Sequence, residues 1–301
     1  MKTFYHGLAA FLCFLATHGL AQELMFVSNY GGGTITKYDS SGAYLGVFAN
    51  TGPDSCPFGI VFDSSGNLYV ANSGFNTIEK FSPTGTDLGT FASTGLNWPA
   101  GLAFDSSGNL YAANAHGDTI RKFSPTGTDL GTFASTGPAS DPLGLVFDSS
   151  GNLYAANYSM NTIEKFSPSG TDLGMFAGAG NGPAGLAFDS SGNLYVAEMD
   201  SNDIDKFSPS GTYLGTFANI GLTSPTGLAF DSSGNLYAAN IDGNTIRKIS
   251  PTGTDLGVFA NTGLSMPAFI AFSPDVVPEP GSWALLAVGA LACQQMRRRR
   301  K

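Results

Sequence analysis

The apolar positions between residues 22 and 275 fall in short blocks that recur at a fixed interval. Phe-Asp-Ser-Ser-Gly-Asn-Leu-Tyr begins at Phe62, Phe104, Phe147, Phe188 and Phe230, and a degenerate copy begins at Phe272. The second copy shows the internal plan. Gly101–Phe104 is an apolar run, and Asp105–Asn109 reads as a turn, with Asp suited to its first position and Gly to a positive φ. Leu110–Asn114 is a second apolar run. Thr119–Phe123 carries charge, Ser124–Thr128 is another turn, and Leu130–Ala134 is the last run. Each unit therefore predicts four short strands. The first two are apolar throughout, as in sheets covered on both faces. The third holds charge, as in Glu79–Lys80 and Arg121–Lys122, and belongs nearer the outside.

Four strands repeating every 40–45 residues predict the blades of a β-propeller. The array starts inside a unit, since Leu24–Asn29 matches strand two. It stops after a lone strand one, Phe269–Phe272. The two partial units complete one blade, so the expected fold is all-β, a six-bladed β-propeller closed by pairing of its first and last strands. Closure leaves no open end to the array.

Composition agrees. Charged residues are 12% of the chain, and 40 of 301 residues are Gly, which suits turns and disfavours long helices. Residues 22–277 hold 8 basic and 22 acidic groups, a net of −14. That charge argues against nucleic acid as a partner. Cys56 and His116 are the body's only thiol and imidazole. A disulfide framework, a zinc cluster of several His and Cys, and a Ser–His relay with a recognisable partner are thereby disfavoured.

Both ends read as addresses. Lys2, the apolar Leu8–Ala16 and the small residues Gly19 and Ala21 read as a signal peptide over residues 1–21. At the other end Pro278-Glu279-Pro280 breaks any regular element. An apolar run from Trp283 to Cys293 and the basic Arg297, Arg298, Arg299, Arg300 and Lys301 follow. Cations on one flank suit a segment held in a membrane with its charges cytoplasmic. The run has 11 residues, short of the roughly 20 that span a bilayer. Transient or permanent anchoring by residues 282–296 is expected.

This tail resembles the PEP-CTERM sorting signal, which implies an exosortase-type partner, export across the inner membrane, and a place at the bacterial cell surface or in an exopolysaccharide matrix. The expected organisation is a signal peptide at 1–21, a propeller at 22–275 and a sorting tail at 276–301. The unit Gly-x-Leu-Tyr-Val-Ala-Asn…Asn-Thr-Ile-x-Lys-Phe…Pro-x-Gly-Leu-Ala-Phe-Asp resembles the NHL repeat. That family places Asp where this chain has Asn29, Asn72, Asn114, Asn157, Asn240 and, once, Glu198. The resemblance implies the propeller and leaves activity open, because the family includes binding modules, lyases and lactonase-like hydrolases. The lyases depend on histidines and are disfavoured here.

The copies themselves separate two rims. Loops joining strands one and two, and strands three and four, are nearly identical from copy to copy. The opposite rim carries loops that differ: those joining strands two and three, and those between blades. A specific ligand needs unlike groups converging on it, so the varied rim is the candidate face. Tyr30, Phe75, Trp98, His116, Tyr158 and Asp200 are its candidate contacts, with aromatics the side chains that carry interface energy. Polysaccharide or envelope proteins are the expected partners, with no cofactor. The alternative is a metal-dependent lactonase or hydrolase like the gluconolactonase-type propellers. In it Glu198, Asn157 and Asn240 would hold Ca2+ or another divalent cation through oxygen. The simpler role for each Asn is to close its strand two–three loop against backbone.

Overall fold

The computed structural model describes residues 23–274, and the expected signal peptide and sorting tail lie outside them. Six antiparallel four-stranded sheets make up this region. Five blades are consecutive in sequence, with first strands Pro57–Phe62, Pro99–Phe104, Pro142–Phe147, Pro183–Phe188 and Pro225–Phe230. The sixth blade is composite. Its first strand is Pro267–Phe272, and its other three are Met25–Asn29, Thr34–Tyr38 and Tyr44–Asn50. Met25 pairs with Phe272 and Val27 with Ile270, which closes the ring as the partial repeats predict.

The first strands stand next to one another around the axis, each blade's against the next, with Pro267–Phe272 against Pro57–Phe62. They come so close that a side chain is excluded at one position. A Cβ on Gly144 would sit 2.0 Å from the Ala184 carbonyl oxygen, and one on Gly101 2.3 Å from that of Leu143. The sixth blade has Phe269 there instead. Ser28, where other blades have Ala, remakes that contact: its Oγ accepts from the Phe269 N–H at 2.9 Å and donates to the Phe58 carbonyl at 2.5 Å.

The repeated octapeptide is the mortar between blades. The strand-two aromatic of one blade meets the strand-one Phe of the next edge to face: Tyr69 on Phe104, Tyr111 on Phe147, Tyr154 on Phe188, Tyr195 on Phe230 and Tyr237 on Phe272. Phe26 on Phe62 completes the circle. Such pairs add about 0.5–1.5 kcal/mol beyond the area they bury.

First strands begin at Pro, two residues before the apolar run suggests, because the Pro already pairs with the last residue of strand two, as Pro99 does with Asn114 and Pro142 with Asn157. Fourth strands form the outer edge. Each carries a Gly at positive φ, Gly89 and Gly131 among them, where the register shifts. A bulge there twists the unpaired edge away from pairing with another chain. Leu45, Leu88, Leu130, Leu173, Leu214 and Leu256 face outward from these strands and are about half exposed.

Candidate functional site

On the varied rim the chain enters each blade through a left-handed residue just before the strand-one Pro. These six are Cys56, Trp98, Asp141, Gly182, Ser224 and Met266. The conformation is unfavourable for a residue as large as Trp, and a clamp from the preceding blade holds it. The Asn76 side chain accepts the Trp98 N–H at 2.6 Å, and Asn202 and Asn244 do the same for Ser224 and Met266. Asp118 takes the role in the third blade, accepting from Ala139, Ser140 and Asp141. Partial burial alone would raise the Asp118 carboxyl, but these backbone donors outweigh it and hold the group below its usual range.

Each clamped residue then pairs with the residue that follows strand two of its own blade. Tyr30 donates its N–H to the Met266 carbonyl, Ala115 to Trp98, Tyr158 to Asp141, and Met199 to Gly182, at 2.9–3.2 Å. The axial mouth is therefore built in three tiers of six: the pre-Pro residues, the second residue of each first strand, and the residue after each second strand. The tiers hold a cavity of about 310 Å³ lined by Tyr30, Phe58, Trp98, Ala115, His116, Asp141, Leu143, Tyr158, Met199 and Ile241.

The cavity is lopsided. Four adjacent blades, from the sixth through the third, supply Tyr30, Phe58, Trp98 and Tyr158. Phe58 lies 5.5 Å from Trp98 and 6.1 Å from Tyr30, centroid to centroid. His116 stacks on Trp98 at 5.1 Å with 23° between the planes. The fourth and fifth blades supply Met199 and Ile241. Burial pushes the Tyr30 hydroxyl upward, with the Cys56 thiol beside it adding to the effect. Burial also raises Tyr158, whose hydroxyl lies 3.3 Å from both Asp200 carboxylate oxygens.

Four of the six contacts expected from the sequence, Tyr30, Trp98, His116 and Tyr158, thus meet around one cavity. Asp200 stands at its lip through Tyr158. Phe75 is elsewhere: half exposed, it lies over the Gly52 turn, outside the lining. Phe58 and Leu143 are not expected there, because they fall between the varied loop and the predicted start of strand one at Gly59 and Gly144. Their signal is the position two residues after the clamp, where the copies read Phe58, Ala100, Leu143, Ala184, Thr226 and Ala268 while the following Gly barely varies.

The Asn and Glu positions form a buried ring just beneath these residues. Asn114 accepts the Asn97 N–H and donates to the Gly95 carbonyl. Asn240 does the same with Thr223 and Gly221 and also donates to Thr245. Asn29 accepts from Ser265 and donates to Thr36. These three tie their strand to the backbone of the blade-to-blade loop that leads into the same blade, not to the loop joining strands two and three. Asn157 donates weakly to Thr162, and its Oδ1, like that of Asn72, is buried without a partner. Glu198 accepts the Gly180 N–H through Oε1, and its Oε2 is buried and unpartnered. Burial pushes the Glu198 carboxyl up to about 8, with Asp205, Asp203 and Asp200 nearby adding to it. Among the described residues, no three His, Cys, Asp or Glu side chains come together as a metal cluster.

On the repeated rim the polar groups satisfy one another, around clefts of about 520 and 530 Å³ between neighbouring blades. In five copies the turn Asp holds the Ser and Asn backbone N–H groups on Oδ1, and the Asn side chain and Tyr hydroxyl on Oδ2. For Asp148 these are Ser150, Asn152 and Tyr154. Lys165 Nζ stands 3.7 Å from Asp148 and 4.9 Å above the Tyr154 ring.

Comparison with solved structures shows the fold. A chain from the nidogen/laminin complex superposes with a TM-score of 0.73 at 20% identity, over 84% of this chain and 99% of that one. A protein of unknown function from Bacteroides caccae gives 0.70 at 16%, over 84% and 99%. Virginiamycin B lyase from Staphylococcus aureus gives 0.61 at 19%, over 74% and 79%. No curated protein matches the sequence significantly. Residues 276–301 match the PEP-CTERM protein-sorting motif. The chain is thus an exported protein in which a six-bladed propeller precedes a PEP-CTERM sorting motif.

Proposed function

We propose that this protein is an NHL-type propeller that leaves the cytoplasm under its N-terminal signal peptide and is sorted by an exosortase-type enzyme. At the cell surface or in the exopolysaccharide matrix it acts as a binding module. Polysaccharide or envelope proteins are its partners, engaged through the axial mouth of the varied rim. One observation carries this reading: Tyr30, Phe58, Trp98, His116 and Tyr158, from four blades, converge on a single cavity. A concave, mainly apolar site with a few polar groups is the usual form of a ligand pocket. The test is co-sedimentation of the full chain with matrix polysaccharide from the producing cell. Wild type pellets with it and Trp98→Gly stays in solution; equal pelleting of both contradicts the reading. Gly182 occupies the equivalent left-handed position in the fourth blade, so the variant keeps the backbone it needs.

A second reading, metal-dependent hydrolysis of a lactone or ester, rests on the orphaned buried oxygens of Glu198 and of Asn157 in the adjacent blade, while the amide of Asn240, the third expected ligand, is already bonded to Thr223, Gly221 and Thr245. A cation bound there would have to displace the Glu198 proton, so its affinity would rise with pH. Divalent ions would then raise the unfolding temperature of wild type and not of Glu198→Gln.

A further inference from the structure

The lining of the axial cavity also indicates what charge its occupant carries. Tyr30, Phe58, Trp98 and Tyr158 bring aromatic rings from four adjacent blades, with His116 stacked on Trp98, to a space at the small end of ligand pockets, which run from about 300 to 1,000 Å³. Asp141 is part of the lining, and Asp200 stands behind the Tyr158 hydroxyl. Among the described residues no Lys or Arg lines it.

The basic residues of the described region are elsewhere. Lys37, Lys80, Arg121, Lys122, Lys165, Lys206, Arg247 and Lys248 all lie on third strands, two strands outward from the axis. Seven of them are paired with Asp. The mouth thus combines aromatic quadrupoles, carboxylates and a surplus of acid across the ring. Aromatic faces attract a cation within about 6 Å of the centroid, and several faces together form the cage that suits an alkylated ammonium. A low-dielectric cleft of one charge sign concentrates the field.

We propose that the axial mouth is a cage for an organic ammonium group. This rests on the axial cavity being the ligand site, and it specifies the chemistry of that ligand. The group can be free, as in a quaternary ammonium solute, or borne by a polymer, as in a deacetylated amino sugar.

The experiment titrates the full chain carrying Trp283→Phe, so that Trp98 is the sole indole. Trp98 fluorescence is read against choline and against its neutral isostere 3,3-dimethylbutan-1-ol. A glucosamine oligomer and its N-acetylated counterpart are run in parallel. Saturable binding of choline, of the glucosamine oligomer, or of both supports the proposal and identifies the source. Each should bind more tightly than its uncharged partner by roughly two- to thirtyfold, the span from an exposed to a desolvated cation–π contact. Asp141→Asn, which keeps the shape of the acid that accepts from Ser159, should narrow that ratio. Trp98→Gly, followed by calorimetry, should abolish binding. Equal or tighter binding of the neutral compounds overturns the ammonium assignment and leaves the cavity as a ligand site. No saturable binding by any of the four also overturns it, while polysaccharide co-sedimentation tests the cavity on its own.

Discussion

The two rims of the ring are built from the same repeat, yet they differ in how their polar groups are satisfied. On the repeated rim Asp, Asn, Tyr and Lys form one closed set. Asp148 receives two backbone and two side-chain donors, and Lys165 covers the neighbouring ring. On the varied rim the backbone is clamped as firmly, by Asn76, Asp118 and Asn202. The side chains it carries, Trp98, Tyr158 and His116, differ from blade to blade and converge on the axial cavity. Identity between copies therefore marks groups occupied in holding the blades together. Variation marks groups left over for something else.

The largest stability effect should come from the repeated rim. Asp148→Ala removes a charged acceptor with four donors and leaves the Tyr154 hydroxyl and Asn152 without it. A loss of about 3 kcal/mol is expected, since bonds to charged groups are worth about 1.5–3 kcal/mol, and urea unfolding would measure it. Burial alone would raise this carboxyl, but the Asn152 side-chain and backbone donors outweigh it and hold it below its usual value. Its stabilisation is therefore present above the unfolded pKa and lost as pH falls through the lower folded one. Acid unfolding below about pH 4 should begin at a higher pH in a chain with fewer such Asp residues.

Glu198 has the opposite sign. Its folded value of about 8 lies above the ordinary 4.5, so the folded chain holds the proton more tightly. Its contribution is intact below pH 4.5 and is lost as pH rises towards 8. Glu198→Gln should flatten that decline and leave the variant the more stable of the two at pH 9. Equal slopes in the two proteins would remove the buried acid from the account.

Smaller effects sharpen the contrast. Lys165→Met on the repeated rim should cost between about 0 and 1 kcal/mol, because a partly exposed ion pair contributes little. Trp98→Gly on the varied rim should change the unfolding midpoint least, within about 0.5 kcal/mol, as relief of the left-handed strain offsets lost ring contacts. Its binding should nonetheless be abolished. A variant that lost several kcal/mol would make Trp98 a structural residue like those opposite.

The architecture was legible because period and strand pattern repeat: Leu110–Asn114 and Thr119–Phe123 are strands as predicted. The ring closure followed from the two partial repeats. The cavity was legible only in part. Tyr30, Trp98 and Tyr158 stood out because neighbouring copies lack an aromatic there. Phe58 did not, because the strand predicted from the repeat begins at Gly59, and only the longer strand, Pro57–Phe62, carries Phe58 to the axis. Phe75 misled for the complementary reason: its loop varies, but its side chain lies over Gly52 on the outer side. Orientation about the axis comes from blade packing, which no single repeat encodes.

The division of labour between the rims is tested most directly by hydrogen–deuterium exchange of the full chain with and without matrix polysaccharide. Added protection should fall on the loops at 30–33, 97–98, 115–117, 140–141 and 158–160, with the Asp-Ser-Ser-Gly-Asn turns unchanged. Protection centred on those turns, or none on the varied loops, would contradict the account.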